Sequence, residues 1–340
     1  MPAPTASLDE IREICRRLPG PDLEAGTAVR TRQAELTKPP GSLGRLEDLA
    51  FWMACWQRRA MPTCDHPRIA VFAGNHGVAT ARRVSAYPVE VTAQMVANFQ
   101  AGGAAVNQLA KLTDSDLQVH EMALDQPTAD FTQGPAMDGV ACAGAIAYGM
   151  MAAQPGVDVL ALGEMGIGNT TNAAALCAAL FGGEPADWVG PGTGVDTDGL
   201  ERKRKAVADG LAANAAAMTD PFEILRCLGG HELAAIIGAI IAARQGGIPV
   251  LLDGFTCTAA AAVLHAFDHH ALDHCVIAHV SAEPGHRLLI DRLGRAPLLD
   301  LGMRLGEASG AALGILILKA ATACHGGMAT FAEASVSGAV

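Results

Sequence analysis

The feature that most constrains this chain is a repeated switch of hydrophobic period. Five short apolar runs each end in a polar or glycine-rich loop: "RIAVFAGNHG" at 68–77, "LQVHEMALD" at 117–125, "VDVLALGEMG" at 157–166, "IPVLLDGFT" at 248–256 and "HCVIAHVSAE" at 274–283. Segments of helical patterning lie between them. "PVEVTAQMVANFQAGGAAVNQLAKL" follows the first run, "NTTNAAALCAALFG" the third and "TAAAAVLHAF" the fourth. Strands that are apolar along their whole length must be buried on both faces. Alternation with helices therefore predicts an α/β fold, a parallel sheet with both faces covered. A length of 340 residues suffices for one large core, or for a core plus a smaller lobe. Half the residues are apolar and only 17% are charged, which excludes a disordered chain. Aromatics make up 4%, so packing leans on Ala, Val, Leu and Ile.

The two ends are patterned differently. Residues 1–60 read as polar-faced helices broken by "TKPPGSLGR", and 300–333 read as mostly helix. The prediction is a small helical lobe made of 1–60 and 300–340, beside a large α/β domain spanning 61–299. Ser7 and Glu10 have capping-box spacing at the start of the first helix, which does not read as a signal peptide. No apolar run looks long and uniform enough to span a membrane, so no membrane partner is expected. The net charge of −11 argues against nucleic acid. Nine dispersed cysteines without a CxxC pair read as mostly buried thiols in a reducing cytosol, hence a cytoplasmic protein.

Ligands of open α/β sheets bind beyond the carboxyl ends of the strands. Those ends carry "GNHG", "GEMGIGNTT", "DGFT" and "SAEPGH". In "GEMGIGNTT" the glycines are spaced neither as a dinucleotide fingerprint nor as a P-loop. What remains is general: glycines let backbone N–H groups approach an anion, and the following helix N-terminus adds favourable potential. A tight turn with an Asn or Thr N-cap accounts equally well for the stretch. A second glycine loop, Gly190, Gly192 and Gly194, precedes a basic helix whose Lys203 would supply the cation that the first loop lacks; a solvated helix face is the alternative. Glu307 is read as opening the apolar C-terminal helix. It is either a proton acceptor or a first-turn dipole partner, the latter worth about 0.3–1 kcal/mol. In "HAFDHHALDH", His265 and His269, and His270 and His274, have metal-ligand spacing if helical. The segment should turn at the amino end of a strand, away from the expected pocket. Asp253, His279 and Ser281 sit at strand ends without a hydrolase motif, as does His76.

Several stretches in order, "TKPPGSLGRLEDLA", "GNHGV", "YPVEVTAQM", "GEMGIGNTT", "LLDGF", "SAEPGH" and "MRLGEASGAAL", resemble the nicotinate-nucleotide-dimethylbenzimidazole phosphoribosyltransferases from about residue 30 to 333. The resemblance implies a Rossmann-like three-layer parallel sheet with a small helical lobe built from both chain ends, assembled as a homodimer without metal or organic cofactor. It implies transfer of the phosphoribosyl group of nicotinate mononucleotide to 5,6-dimethylbenzimidazole, giving α-ribazole 5′-phosphate and nicotinate. Glu307 falls on the family's general base. Glu164, Gly166, Ile167, Gly168, Asn169, Thr170, Gly192 and Lys203 fall on its phosphate and ribose site, and Tyr87, Gln94, Met95 and Leu305 on its base pocket. Two other readings stand beside it: a non-catalytic mononucleotide-binding protein on the same fold, and a metal-dependent hydrolase built on the histidine cluster.

Overall fold

All five apolar runs form strands, and every pairing is parallel: β1 (Pro67–Ala73), β2 (Asp116–Glu121), β3 (Val159–Met165), β4 (Val250–Leu252) and β5 (Cys275–Ile277). The computed structural model describes residues 6–337; the ends of the expected lobe, 1–5 and 338–340, lie outside them. The strand order is β2-β1-β3-β4-β5. β1 is buried throughout, whereas the edge strand β2 is exposed at both ends. This difference explains why β1 is apolar from Ile69 to Ala73, while β2 carries Asp116, Gln118 and Glu121. Connections leave β1 and β3 in opposite directions, so a crevice opens at their carboxyl ends.

The helices follow in chain order. α1 (Leu8–Cys15), α2 (Leu23–Glu35) and α3 (Arg45–Gln57) precede the sheet. Ser7 and Glu10 do form the capping box of α1. α4 (Gly77–Arg82), α5 (Glu90–Ala101) and α6 (Ala105–Leu112) link β1 to β2, and α7 (Gly139–Gly149) leads to β3. The helical pattern over 88–112 is two helices, because Gly102 adopts φ +80° and ends α5. α8 (Asn169–Phe181), α9 (Pro185–Trp188), α10 (Thr197–Asn214), α11 (Pro221–Leu228) and α12 (His231–Gly246) separate β3 from β4. α13 (Phe255–Phe267), α14 (Pro284–Leu293) and α15 (Ser309–Gly327) complete the described chain.

α12 lies on β1 and β3 with α7 and α13 beside it, while α15 lies on β3 and β4 with α6 beside it. Small residues permit this layering. Gly149 of α7 abuts the backbone at Ala235 of α12, and Gly238 of α12 abuts Ile146 of α7; a Cβ at either would overlap a carbonyl. Residues near the two described ends pack together. Arg32 Nε donates to His325 O at 3.0 Å, and Phe331 N donates to Glu35 O at 2.9 Å. Eight of the nine cysteines are buried and all are free.

Two expectations are corrected here. α15 has 19 residues and is apolar enough to cross a membrane by length and composition. Ser, Gly, Thr, Lys and His interrupt its apolar run, and its Ala-rich face packs on the sheet. Glu307 does not open this helix. The helix starts at Ser309, and Gly306, Glu307 and Ala308 stand before it at φ +80°, +59° and +60°.

Candidate active site

A cavity of about 710 Å³ opens at the carboxyl ends of β3, β4 and β5, a size suited to a mononucleotide plus a flat heterocycle. Its floor is the loop after β3. Gly166 approaches the loop after β1 so closely that a Cβ would come within 2.8 Å of Gly74 O and 3.2 Å of His76 Nε2. Behind that contact His76 Nε2 and Glu232 Oε1 form a buried pair at 2.7 Å. His76 therefore supports the loop from below.

The loop is not a capped turn. α8 begins after Gly168, at φ +95°, and no side chain caps it. Of the side chains expected to do so, Thr171 is buried, and Asn169 and Thr170 are engaged elsewhere. Asn169 Nδ2 donates to the Glu164 carboxylate, and Thr170 Oγ1 accepts from Lys203 Nζ at 2.9 Å. The helix N-terminus is thus left facing the cavity, an anion-binding arrangement. Lys203 is only 1% exposed and also donates to Gly190 O at 2.7 Å. Burial lowers its pKa to about 8, and the Glu283 charge opposes that fall. Lys203 therefore sits beneath the loop, not on a solvated helix face.

Facing this floor are two carboxyl groups without a cationic partner. Glu307 is 6% exposed, and burial, with the charge of Asp253 adding to it, raises its pKa to about 7. Glu164 is raised to about 8, mainly by burial; the Asn169 hydrogen bond opposes this, and Asp253, Glu232 and Glu307 add to it. Glu307 reaches the cavity because the three residues at 306–308 are left-handed. Each non-glycine residue there costs about 1–3 kcal/mol. The turn is held in place: Glu307 N donates to Glu164 O at 3.2 Å, and Gly163 of β3 leaves room for Ala308. Asp253, at the end of β4, accepts from Gly310 N at 2.8 Å and Ala311 N at 2.9 Å and so caps α15 from another element. A buried carboxyl titrating near neutrality over a heterocycle-sized cavity is suited to proton transfer.

The cavity gathers Glu164, Gly166, Ile167, Gly168, Asn169, Thr170, Gly192, Tyr87, Met95, Leu305 and Glu307, with Lys203 just behind. Gln94 is not among them; it is exposed on α5, whose Val91 and Met95 do line the cavity. Sequence reasoning left Glu283 and Arg304 unassigned, yet both line the cavity. The signal for Glu283 was its place in "SAEPGH", after a strand and before a helix-starting proline. Arg304 had no comparable signal. No Ser/His/Asp relay forms among the described residues here. Ser281 Oγ accepts from Glu283 N at 3.3 Å, and His279 turns to Asp253 Oδ1 at 3.4 Å. The histidine cluster is dispersed as well. α13 ends at Phe267, His274 is buried against Ile240 O at 2.9 Å, and only His265 and His269 touch, at 3.1 Å. No group of three metal-ligating side chains occurs among the described residues.

A family model described as phosphoribosyltransferase matches residues 18–336. The nicotinate-nucleotide-dimethylbenzimidazole phosphoribosyltransferase of Brucella anthropi is 55% identical over 338 residues, covering 99% of each chain. That of Ruegeria sp. strain TM1040 is 57% identical over 331 residues, covering 97% of this chain and 98% of its own. The solved structure of CobT from Thermus thermophilus superposes with a TM-score of 0.86 at 42% identity, covering 93% of this chain and all of that one.

Proposed function

This chain belongs to the nicotinate-nucleotide-dimethylbenzimidazole phosphoribosyltransferases, and on that premise we propose that it moves the 5-phosphoribosyl group of nicotinate mononucleotide onto 5,6-dimethylbenzimidazole. One ring nitrogen of the benzimidazole attacks C1′ while the bond from C1′ to the nicotinate nitrogen breaks. The N–H proton of the other ring nitrogen passes to Glu307. The products are α-ribazole 5′-phosphate, inverted at C1′, and nicotinate. Nicotinate departs from a pyridinium as a neutral pyridine ring, so no acid is needed at the leaving group. A base acting on the nucleophile accounts for the proton balance.

The observation that carries this reading is the Glu307 carboxyl. It lines a heterocycle-sized cavity opposite an uncapped helix N-terminus, and its pKa is raised to about 7. General-base precedent assigns such a group roughly 10²–10⁴-fold in rate. The phosphate is held by Gly166, Ile167, Gly168, Asn169, Thr170 and Gly192 with Lys203 behind them. It fixes C1′ relative to the base, and positioning of this kind supplies several kcal/mol of the barrier. Tyr87, Met95 and Leu305 contact the flat ring. Glu164, held by Asn169, lies on the ribose side of Glu307. The same two acids favour catalysis over simple mononucleotide binding, since a binding site gains nothing from a buried carboxyl titrating near neutrality.

The enzyme works as a cytoplasmic homodimer, with the exposed apolar Tyr87 and Leu305 at the cavity, and Leu301, covered in the assembly. The terminal helices act as a small lobe beside the 61–299 domain. The reaction is tested by incubating the protein with both substrates and looking for α-ribazole 5′-phosphate. Absence of product overturns the substrate assignment. Sedimentation at micromolar concentration tests the dimer, and a monomer overturns it.

A further inference from the structure

Gly192 is held from two separated parts of the chain and crowded by two more. Its N–H donates to Glu283 Oε1 at 2.9 Å, and its carbonyl accepts from Arg304 at 2.7 Å. A Cβ on it would come within 2.7 Å of Thr170 Oγ1 and 2.9 Å of Lys203 Nζ. Its φ of +52° suits glycine. Glu283 is the pivot of this arrangement. It is 4% exposed, and its second carboxylate oxygen is buried against Gly190 without a hydrogen-bond partner. A buried carboxylate with an unused oxygen is costly unless a nearby cation compensates it. The cations facing it are Lys203 from α10 and Arg304 from the loop before α15, and among the described residues no other acid faces Lys203.

We propose that Glu283 is a positioning residue for the phosphate end of the cavity, fixing the Gly192 peptide and keeping Lys203 cationic without itself touching substrate. This rests on the mononucleotide reading above. The two groups need each other. Burial lowers the pKa of Lys203 and raises that of Glu283, and each charge opposes the other's shift. Removing the carboxylate charge leaves a buried lysine that sheds its proton at lower pH. The helix terminus alone then faces the anion.

Glu283→Gln keeps the shape and an acceptor for Gly192 N but removes the charge. Its expected signature is a KM for nicotinate mononucleotide that rises about tenfold more at pH 8.5 than at pH 6.5, relative to wild type, since one unit of pKa is tenfold in ionisation. The KM for dimethylbenzimidazole should change far less. In a Lys203→Met background the pH-dependent part should vanish, because residues acting through one another are not additive. Glu283→Asp keeps the charge and shortens the reach, so it should raise the mononucleotide KM equally across the pH range. A pH-independent Glu283→Gln effect overturns the inference, as do additive effects with Lys203→Met or an unaltered KM in Glu283→Asp. Wild type fully inactive with both substrates instead overturns the functional reading, so the two failures are separable.

Discussion

The two ends of the cavity bury charge in opposite ways. At the phosphate end Lys203, Glu283 and Arg304 compensate one another around the Gly190–Gly192 loop, Lys203 holding Gly190 O and the other two holding Gly192. At the other end Glu164 and Glu307 have only Asn169 and neighbouring acids around them. The pairing in the first case produces a fixed cationic wall. The lack of a cation in the second leaves carboxyls that titrate between about 7 and 8, where a proton can be taken and returned. The same physics of desolvation thus builds a rigid anchor or a base, depending on whether a counter-charge is supplied.

The sharpest way to break this contrast is at Glu307. Glu307→Gln should lower kcat by roughly 10²–10⁴-fold while the mononucleotide KM moves less than about threefold, as measured by steady-state kinetics. Equal losses in both parameters would place Glu307 in binding. At the anchor, Gly192→Ala forces a Cβ towards Thr170 and Lys203 at a left-handed position. It should weaken mononucleotide binding by about 10–100-fold in calorimetry, corresponding to about 1–3 kcal/mol of overpacking.

pH sharpens the comparison further. With Glu307 required as carboxylate and Lys203 as cation, kcat/KM of wild type should rise with pH through about 7 and fall again through about 8. Asp253→Asn keeps an acceptor for the α15 amides and removes the smaller cause of the shift. The limb should therefore move to lower pH by less than about one unit, burial being the larger cause. The smallest effect concerns stability. Glu164 has a folded pKa of about 8 against 4.5 unperturbed, so the folded state holds its proton more tightly. Its contribution grows unfavourable as pH rises from 4.5 towards 8 and is absent at low pH. Glu164→Gln should therefore raise Tm by about 2–5 °C at pH 8 and leave it nearly unchanged at pH 4, by calorimetry.

Much of the fold was legible. β1 and β3 were visible as apolar runs because both faces of a central parallel strand are buried, and "GEMGIGNTT" was visible because glycine marks backbone approach. Glu164 and Glu307 were legible as acids beside glycine loops. Glu283 was passed over because its partners, Gly192 and Lys203, are distant in sequence. Gln94, placed in the base pocket by resemblance, lies outside the cavity lining, because a motif in order along the chain does not record which side chains of α5 reach the pocket. The spacing of His265 to His274 does not run on one helix, since α13 ends at Phe267.

By itself the sequence determined the strands, the switch to helical period after each, and the glycine loops at their ends. These follow from burial and backbone sterics acting over a few residues. Only the tertiary structure decided that Asp253 caps α15 from 57 residues away, that Glu307 sits in a left-handed turn instead of a helix, and that Glu283 and Arg304 grip Gly192 from its two flanking peptides. Such contacts depend on the order β2-β1-β3-β4-β5. Hydrophobic period carries no record of strand order, because any order of parallel strands buries the same apolar faces.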